Sequence, residues 1–358
     1  MIRPRTLIAM MCGTLTLVCA GTSLAMVHSA SSLEARVFAG GAPRSRTQPW
    51  WSGFRDETMN KLIAAAQSRS SSAPSESLLN TAREEFRIAA AYVAIKVETL
   101  GLLYVENARS AVVRQSQLLN SEHPTHSDFT LQLARRLTTA DAAIGKLKSQ
   151  RAADLVFLAA QCQMSEAALN DTIADALLDR ALPRFAALVP DDLPMAILAD
   201  REDVRLVATL YDIDVASTLD GAIDAGGSSA DEFSIGYPLY DTVVAKARKE
   251  VSESLHRLQN QSDVTNSAYA KVLDARTDFE ASKTRLDRRG ISEIQLMEDF
   301  QGLMLDLQAL AVANGDLAVA WIAFMGSLGS GASISADANS QSMQTQIPHK
   351  FSRKLRDP

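Results

Sequence analysis

Glu122, His123, His126 and Asp128 place two imidazoles and two carboxylates close together, a donor set of the kind that can hold a transition metal. Pro124 lies among them, and a polar, proline-bearing stretch is also what a tight turn between helices requires, so the cluster reads as a turn and no metal is assigned. Cys162 lies on an apolar stripe between Leu158 and Leu169, where a thiol behaves as a small hydrophobe and not as a nucleophile. The chain carries no Gly-x-Ser-x-Gly, no His-Glu-x-x-His and no glycine-rich phosphate loop after a strand. The expectation is a protein that is not an enzyme and that uses no cofactor.

The elements that would carry these residues are long. Residues 76–120 and 125–180 read as two helices joined by a short polar turn, and 240–287 and 292–328 repeat the plan. At about 1.5 Å rise per residue each arm is roughly 55 to 85 Å long. Apolar residues recur at steps of three and four, as in Leu79, Ala82, Phe86, Ala89, Val93, Val97 and Leu100, and again in Leu133, Leu137, Ala140, Ile144 and Leu147. This is the period that keeps a seam turned toward a partner helix. Charges such as Arg83, Glu84, Glu85, Arg87, Lys96, Glu98 and Glu106 interrupt the first arm, which argues against membrane spans of about 20 apolar residues within the arms. Arms of this length suit a conduit or a scaffold.

Of the 358 residues 47% are hydrophobic, and the formal net charge is −6. A core can therefore form, and no basic footprint exists for nucleic acid. Residues 1–25 combine Arg3 and Arg5, an apolar run from Leu7 to Ala20 and the ending Ser23-Leu24-Ala25, the order of a secretory signal peptide. Cleavage is expected after Ala25, with Ala30 as a second site. Val18 before Cys19 is large for lipoprotein processing, so lipidation at Cys19 stays open. Removal of Cys12 and Cys19 leaves Cys162 alone, without a disulfide partner in the mature chain.

Residues 26–49 then form an extended segment, 50–180 a first half, 181–200 a proline-bearing connector, 201–330 a second half and 331–358 a disordered tail. Trp50, Trp51 and Phe54 open a short amphipathic helix that continues through Met59, Leu62 and Ile63, and Arg201 to about Ser217 reads as another. Phe233, Ile235, Tyr237 and Leu239 alternate with Ser234, Gly236 and Pro238, which makes 233–239 the one strand candidate. The polar patch Gln259 to Ser267 is expected to face solvent, or else to line water.

Four segments in order carry a resemblance. Trp50-Trp51-Ser52-Gly53-Phe54-Arg55-Asp56, followed by Leu62-Ile63, resembles the start of TolC-like outer-membrane efflux factors, in particular the NodT-type branch. Leu193-Pro194 through Arg201-Glu202-Asp203-Val204-Arg205 is similar to the mid-chain Leu-Pro and Arg-Pro-Asp-Val-Arg pattern, with Glu202 in place of the proline. Ile235-Gly236-Tyr237-Pro238-Leu239-Tyr240-Asp241 resembles the lead into the second hairpin. Arg288-Arg289-Gly290-Ile291-Ser292 and Phe324-Met325-Gly326-Ser327-Leu328-Gly329 resemble its tip and the end of the fold. The likeness spans about residues 48–331. It implies a mainly α chain of two repeated antiparallel hairpins forming a periplasmic tunnel, trimeric, topped by a barrel to which each chain gives four strands. A periplasmic adaptor and an inner-membrane pump would be the partners, and export would be passive.

The chain departs from that pattern in its membrane part. From Asn80 through Arg87 to Tyr92 there is no alternating run bounded by Gly or Pro, and Ile213 to Ile223, the other segment open to a strand reading, carries Asp214 and Asp220. A spanning strand needs about 9 to 11 residues, and small membrane barrels have about eight strands. The barrel is therefore expected to be shortened or lost, and a barrel-deficient periplasmic scaffold is the alternative to a channel subunit in efflux or type I secretion, as a homotrimer or a mixed trimer. At the second tip the family pattern has acids six and nine positions after the glycine. Here these are Leu296 and Asp299, so the resemblance leaves Asp299 as the aperture acid and Gly290, Ile291 and Ser292 as the adaptor-docking tip.

Overall fold

The computed structural model describes residues 49–70, 77–122, 127–179, 195–215 and 236–329. Among them there is no strand. The helices are α1 (Glu57–Ser70), α2 (Ser77–Glu122), α3 (Ser127–Gln161), α4 (Glu166–Leu178), α5 (Glu202–Leu210), α6 (Pro238–Asp287) and α7 (Glu293–Ser327), with 3₁₀ turns at Trp50–Phe54 and Met195–Asp200. α2 packs on both α3 and α7, and α7 packs on α6. The four long helices thus lie side by side in the order α3, α2, α7, α6. This is the mainly α architecture of two repeated antiparallel hairpins that the sequence implied.

The stripe on α6 explains how the layer is built. Val244, Val251, Leu258, Thr265, Val272 and Phe279 are all buried and recur every seven residues, a narrow seam suited to one partner and to a left-handed supercoil. α7 takes the inner place and is apolar on several sides, burying Leu303, Met304, Ala311, Ala313, Ala318, Trp321, Phe324 and Met325. It lies close on α2 at Gly315, where an added Cβ would stand 2.4 Å from Val97 Cγ2. The largest core lies where α1, α4, α5 and the 3₁₀ turns gather on α2, α6 and α7. Two smaller clusters follow toward the hairpin tips, one around Ala108, Phe279, Leu296 and Leu303, the other around Val112, Leu119 and Leu133.

Several expectations change. α2 runs unbroken through 82–97, as expected for a chain without the first strand pair. The arm expected at 125–180 is two helices: α3 closes at Cys162, Gln163 sits at φ +50°, and Ser165 caps α4 by accepting from Ala168 N. Met164 N donates to Ala159 O and Gln163 N to Ala160 O, the paired bonds that close a helix end around a left-handed residue. The first amphipathic helix likewise splits, with Arg55 at φ +51° between turn and helix, and α5 stops at Leu210 with Asp212 at φ +56°. Pro238 and Leu239 begin α6 and do not end a strand, because proline at the first helical position fixes φ where its missing N–H costs nothing; 233–235 lie outside the described residues. Gln261 and Thr265, from the polar patch, both donate to Ala313 O on α7, so that part of the patch faces a neighbouring helix. Two of the arms also run against the expectation that none could span a membrane. Glu84–Leu119 and Glu293–Ser327 each hold a stretch long and apolar enough to cross a membrane, with 61% and 50% of those stretches buried in the protein.

Candidate functional site

The tip cluster of Glu122, His123 and His126 cannot be placed: residues 123–126 and the Glu122 side chain lie outside the description. Among the described residues no three or more His, Cys, Asp or Glu converge as metal ligands. Cys162 is buried at the end of α3, as a structural thiol would be.

At the second tip, α6 closes through Gly290 N to Arg285 O and Arg289 N to Leu286 O. The left-handed position belongs to Arg289, at φ +56°, and not to Gly290. Ser292 caps α7 by accepting from Gln295 N. Gly290 and Ser292 are exposed and Ile291 is half-buried beside the Phe279 and Leu303 cluster, so the three residues form a compact turn over an apolar plug. Asp299 is half-buried and accepts from Gln295 Nε2 at 3.1 Å. Leu296 is buried in the same cluster, which accounts for the absence of an acid there: the position faces the core of this chain. Glu298 is taken by Arg136 at 3.3 Å, and Glu293 by Arg114 at 2.8 Å. Gln115 Nε2 also donates to Ile294 O. These contacts fasten the first hairpin to the start of α7, so both hairpins reach the tip region as one unit.

The opposite end carries two buried charge clusters that sequence reasoning had seen only as motif residues. Asp56 caps α1 by accepting from Met59 N, accepts from Tyr92 Oη at 3.0 Å, and faces Lys96 Nζ at 3.5 Å. Burial first, then the Asp56 carboxylate, hold the Tyr92 phenol well above its usual range. Arg201, 1% exposed, donates to Ser327 O at the end of α7, to both Asp203 oxygens and to Glu250 on α6. Burial works against its charge, yet Asp203 and Glu250 hold the guanidinium above its ordinary value. One residue therefore ties α5, α6 and α7 together.

Between the ends, Glu98 on α2 lies against Asp154 on α3, with Arg151 near. Burial, then the Asp154 carboxyl, push Glu98 up to about 9, and burial raises Asp154 as well. Asp316, beside Gly315, is raised by burial. None of these groups forms a nucleophile, base and anion-hole arrangement. The arrangement holds long helices in register.

No protein-family model and no curated protein matches the chain. Solved structures do. The outer-membrane channel OprN superposes with a TM-score of 0.52 at 14% identity, over 81% of this chain and 95% of that one. The outer membrane protein VceC from Vibrio cholerae gives 0.48 at 13% identity, over 87% and 92%. CusC, described for its folding and transmembrane channel formation, gives 0.49 at 13%, over 79% and 95%. The likeness to OprN shows the fold: the described part of the chain has the helical-hairpin fold of TolC-like outer-membrane channels, without strands.

Proposed function

We propose that the chain is a channel subunit of TolC-like type, a passive conduit in a tripartite efflux or type I secretion assembly that works with a periplasmic adaptor and an inner-membrane pump. The observation that carries this reading is the layer α3, α2, α7, α6 on the OprN fold, in which each edge helix, among the described residues, packs on a long helix on one side only. α3 exposes Leu131, Val156 and Phe157, and α6 exposes Val264 and Leu273. Copies set edge to edge, α3 against α6, close the layer into a ring, as a homotrimer or as a mixed trimer with a longer relative. Residues 50–180 and 201–330 are the two halves, joined by 181–200, and the first 25 residues direct export to the periplasm or outer membrane. In the ring Asp299 supplies one carboxylate per copy near the mouth, a cation-favouring arrangement, and Gly290, Ile291 and Ser292 form the adaptor-facing turn.

The second reading is a barrel-deficient periplasmic scaffold of the same ancestry. It is favoured by the unbroken course of α2 from Ser77 to Glu122, which leaves no room there for a strand pair. Fractionation of the mature protein separates the two. A channel subunit sediments with the outer membrane and migrates in a heat-modifiable way on gels. Release as a soluble species by osmotic shock overturns the channel reading and favours the scaffold.

A further inference from the structure

Both edge helices carry a second repeat on the face turned away from their neighbour. On α3, Asp128, Arg135, Ala142, Ser149 and Val156 recur every seven residues, and all are exposed. Along α6 and its C-cap, Asn260, Ser267, Asp274, Ala281 and Arg288 recur at the same interval and are exposed as well. The buried faces, with Leu133 and Leu158 on α3 and the stripe from Val244 to Phe279 on α6, already lie on α2 and α7. A seven-residue repeat on a further face is the pattern of a helix that takes a second helical neighbour.

Contacts inside the chain fix the height of each position. Arg136 on α3 reaches Glu298 and Gln301 on α7, Phe279 on α6 packs on Phe300 of α7, and Thr265 on α6 donates to Ala313 O. Residue 136 of α3 therefore stands level with about residue 280 of α6. Since α3 climbs from the tip and α6 descends to it, each step along one is a step back along the other. Asp128 is then level with Arg288, Arg135 with Ala281, Ala142 with Asp274, Ser149 with Ser267 and Val156 with Asn260. Opposite charges share the first height, and a long side chain faces a short one at the second and third. Asp278 lies within one turn of the Arg135 height, and Asp274 about one turn from that of Lys146. Lys271, near the Lys146 height, acts on Asp306 of its own chain. Charges turned toward the chain's own helices are paired, as in Arg109 with Asp141 and Lys148 with Glu106. Asp128, Arg135, Lys146, Asp274, Asp278 and Arg288 have no ion-pair partner among the described residues.

We propose that the partner of each edge helix is a second copy of this same chain, with α3 of one copy antiparallel to α6 of the next in the register that sets Asp128 against Arg288 and Ser149 against Ser267. The inference rests on the edge-to-edge arrangement proposed above and chooses the homomeric form over a mixed one. Copies related by rotation about an axis along the helices keep every residue at its own height, so the heights read within one chain apply across the contact. A slip along the axis would turn a closed ring into an open spiral. Exposed ion pairs add little affinity, whereas like charges set face to face cost more. The charges of the two seams therefore select the partner and the register, and the small side chains between them let the helices approach. A longer relative fits the same edges only if it repeats this order of charges.

The test is disulfide cross-linking of the mature protein in a Cys162→Ala background. Ser149→Cys with Ser267→Cys, both at exposed positions, should form a disulfide between copies on mild oxidation. Ser149→Cys with Asn260→Cys is displaced by one repeat, about 10 Å, and should give at least about tenfold less linked dimer. In the first background Asp128→Arg with Arg135→Asp should lower the linked fraction at least about tenfold, and adding Arg288→Asp with Asp278→Arg should restore it. If the charge variants do not fold, the two cysteine pairs decide alone. Equal linking of the matched and displaced pairs overturns the register. Sedimentation with the outer membrane without any linked dimer overturns the choice of a second copy and leaves the channel reading standing. Linked dimer in a chain that osmotic shock releases supports this inference and overturns the channel reading.

Discussion

Gly315 offers the sharpest test of the helix order. A methyl group added there falls 2.4 Å from Val97 Cγ2 and 3.6 Å from Val97 Cβ. Val97 cannot swing aside freely, because a β-branched residue in a helix has one strongly preferred χ1, and moving off it costs about 0.5–1.5 kcal/mol. Against this stands the propensity gain of Ala over Gly in a helix interior, about 1 kcal/mol. Overpacking of a well-filled contact typically costs about 1–3 kcal/mol, so Gly315→Ala is expected to be a net loss of about 1 kcal/mol. Gly302, on the same helix, has nothing within 4 Å of its would-be Cβ, so Gly302→Ala should show the propensity gain alone. The two substitutions thus differ in sign although they are the same chemical change in the same helix. The assay is the urea midpoint of mature protein followed by helical circular dichroism. Val97→Ala in the Gly315→Ala background should return part of the loss, with a coupling of about 0.5–3 kcal/mol. If Gly315→Ala raises the midpoint as Gly302→Ala does, α7 does not press on α2 at Val97 and the lateral order is wrong.

Arg201→Ala strands the Asp203 and Glu250 carboxylates at the junction of α5, α6 and α7, and should cost about 3–5 kcal/mol by the same denaturation assay; Arg201→Lys keeps the charge, loses the forked geometry and should fall between. Gln163 and Arg289 sit at φ +50° and +56°, so Gln163→Gly and Arg289→Gly should each stabilise the fold by roughly 0.5–1 kcal/mol, read as higher melting midpoints. Burial raises the Asp316 carboxyl, so what it contributes to stability is fully present below the ordinary carboxyl value and lost as pH rises through its folded value. Asp316→Asn should therefore raise the melting midpoint near neutral pH and leave it nearly unchanged near about pH 4; a gain of the same size at both pH values rules out the linkage.

The long helices were legible because their stripes are long: one misplaced apolar residue does not erase a seven-residue period that recurs from Val244 to Phe279. Their ends were less so. A helix that closes on a left-handed residue usually does so with glycine, yet Gln163, Asp212 and Arg289 take that position here, while Gly329 at the end of α7 follows the rule. With no glycine or proline near Cys162 the end of α3 carries no breaker, and the one local sign is Ser165, which caps α4. The strand expected at 233–239 failed in its last two residues for a related reason: Tyr237, Pro238 and Leu239 satisfy an alternating pattern and a helix start equally well, and proline at the first helical position settles it.

The site was legible unevenly, and the unevenness follows from where each residue's partner lies. Asp56 and Arg201 stood out as parts of recognisable motifs, and each closes a hydrogen-bonded cluster inside this chain: Asp56 with Tyr92 and Lys96, Arg201 with Asp203, Glu250 and the Ser327 carbonyl. Their work is to seat short elements on the long helices, and any chain with this layer has that task whether or not it conducts. Leu296 and the second tip, by contrast, are where the chain departs from the pattern its resemblance implies. Leu296 is turned into the cluster of Phe279 and Leu303, leaving Asp299 as the lone acid of the expected pair. Glu98 and Asp154 belong to neither group. They lie about equally far on either side of the first turn, so pairing α2 with α3 residue by residue would have brought them together, whereas a search for local motifs could not. The same residue-by-residue pairing identifies the opposite-charge contacts of Arg109 with Asp141 and of Glu106 with Lys148, which hold the two arms in register.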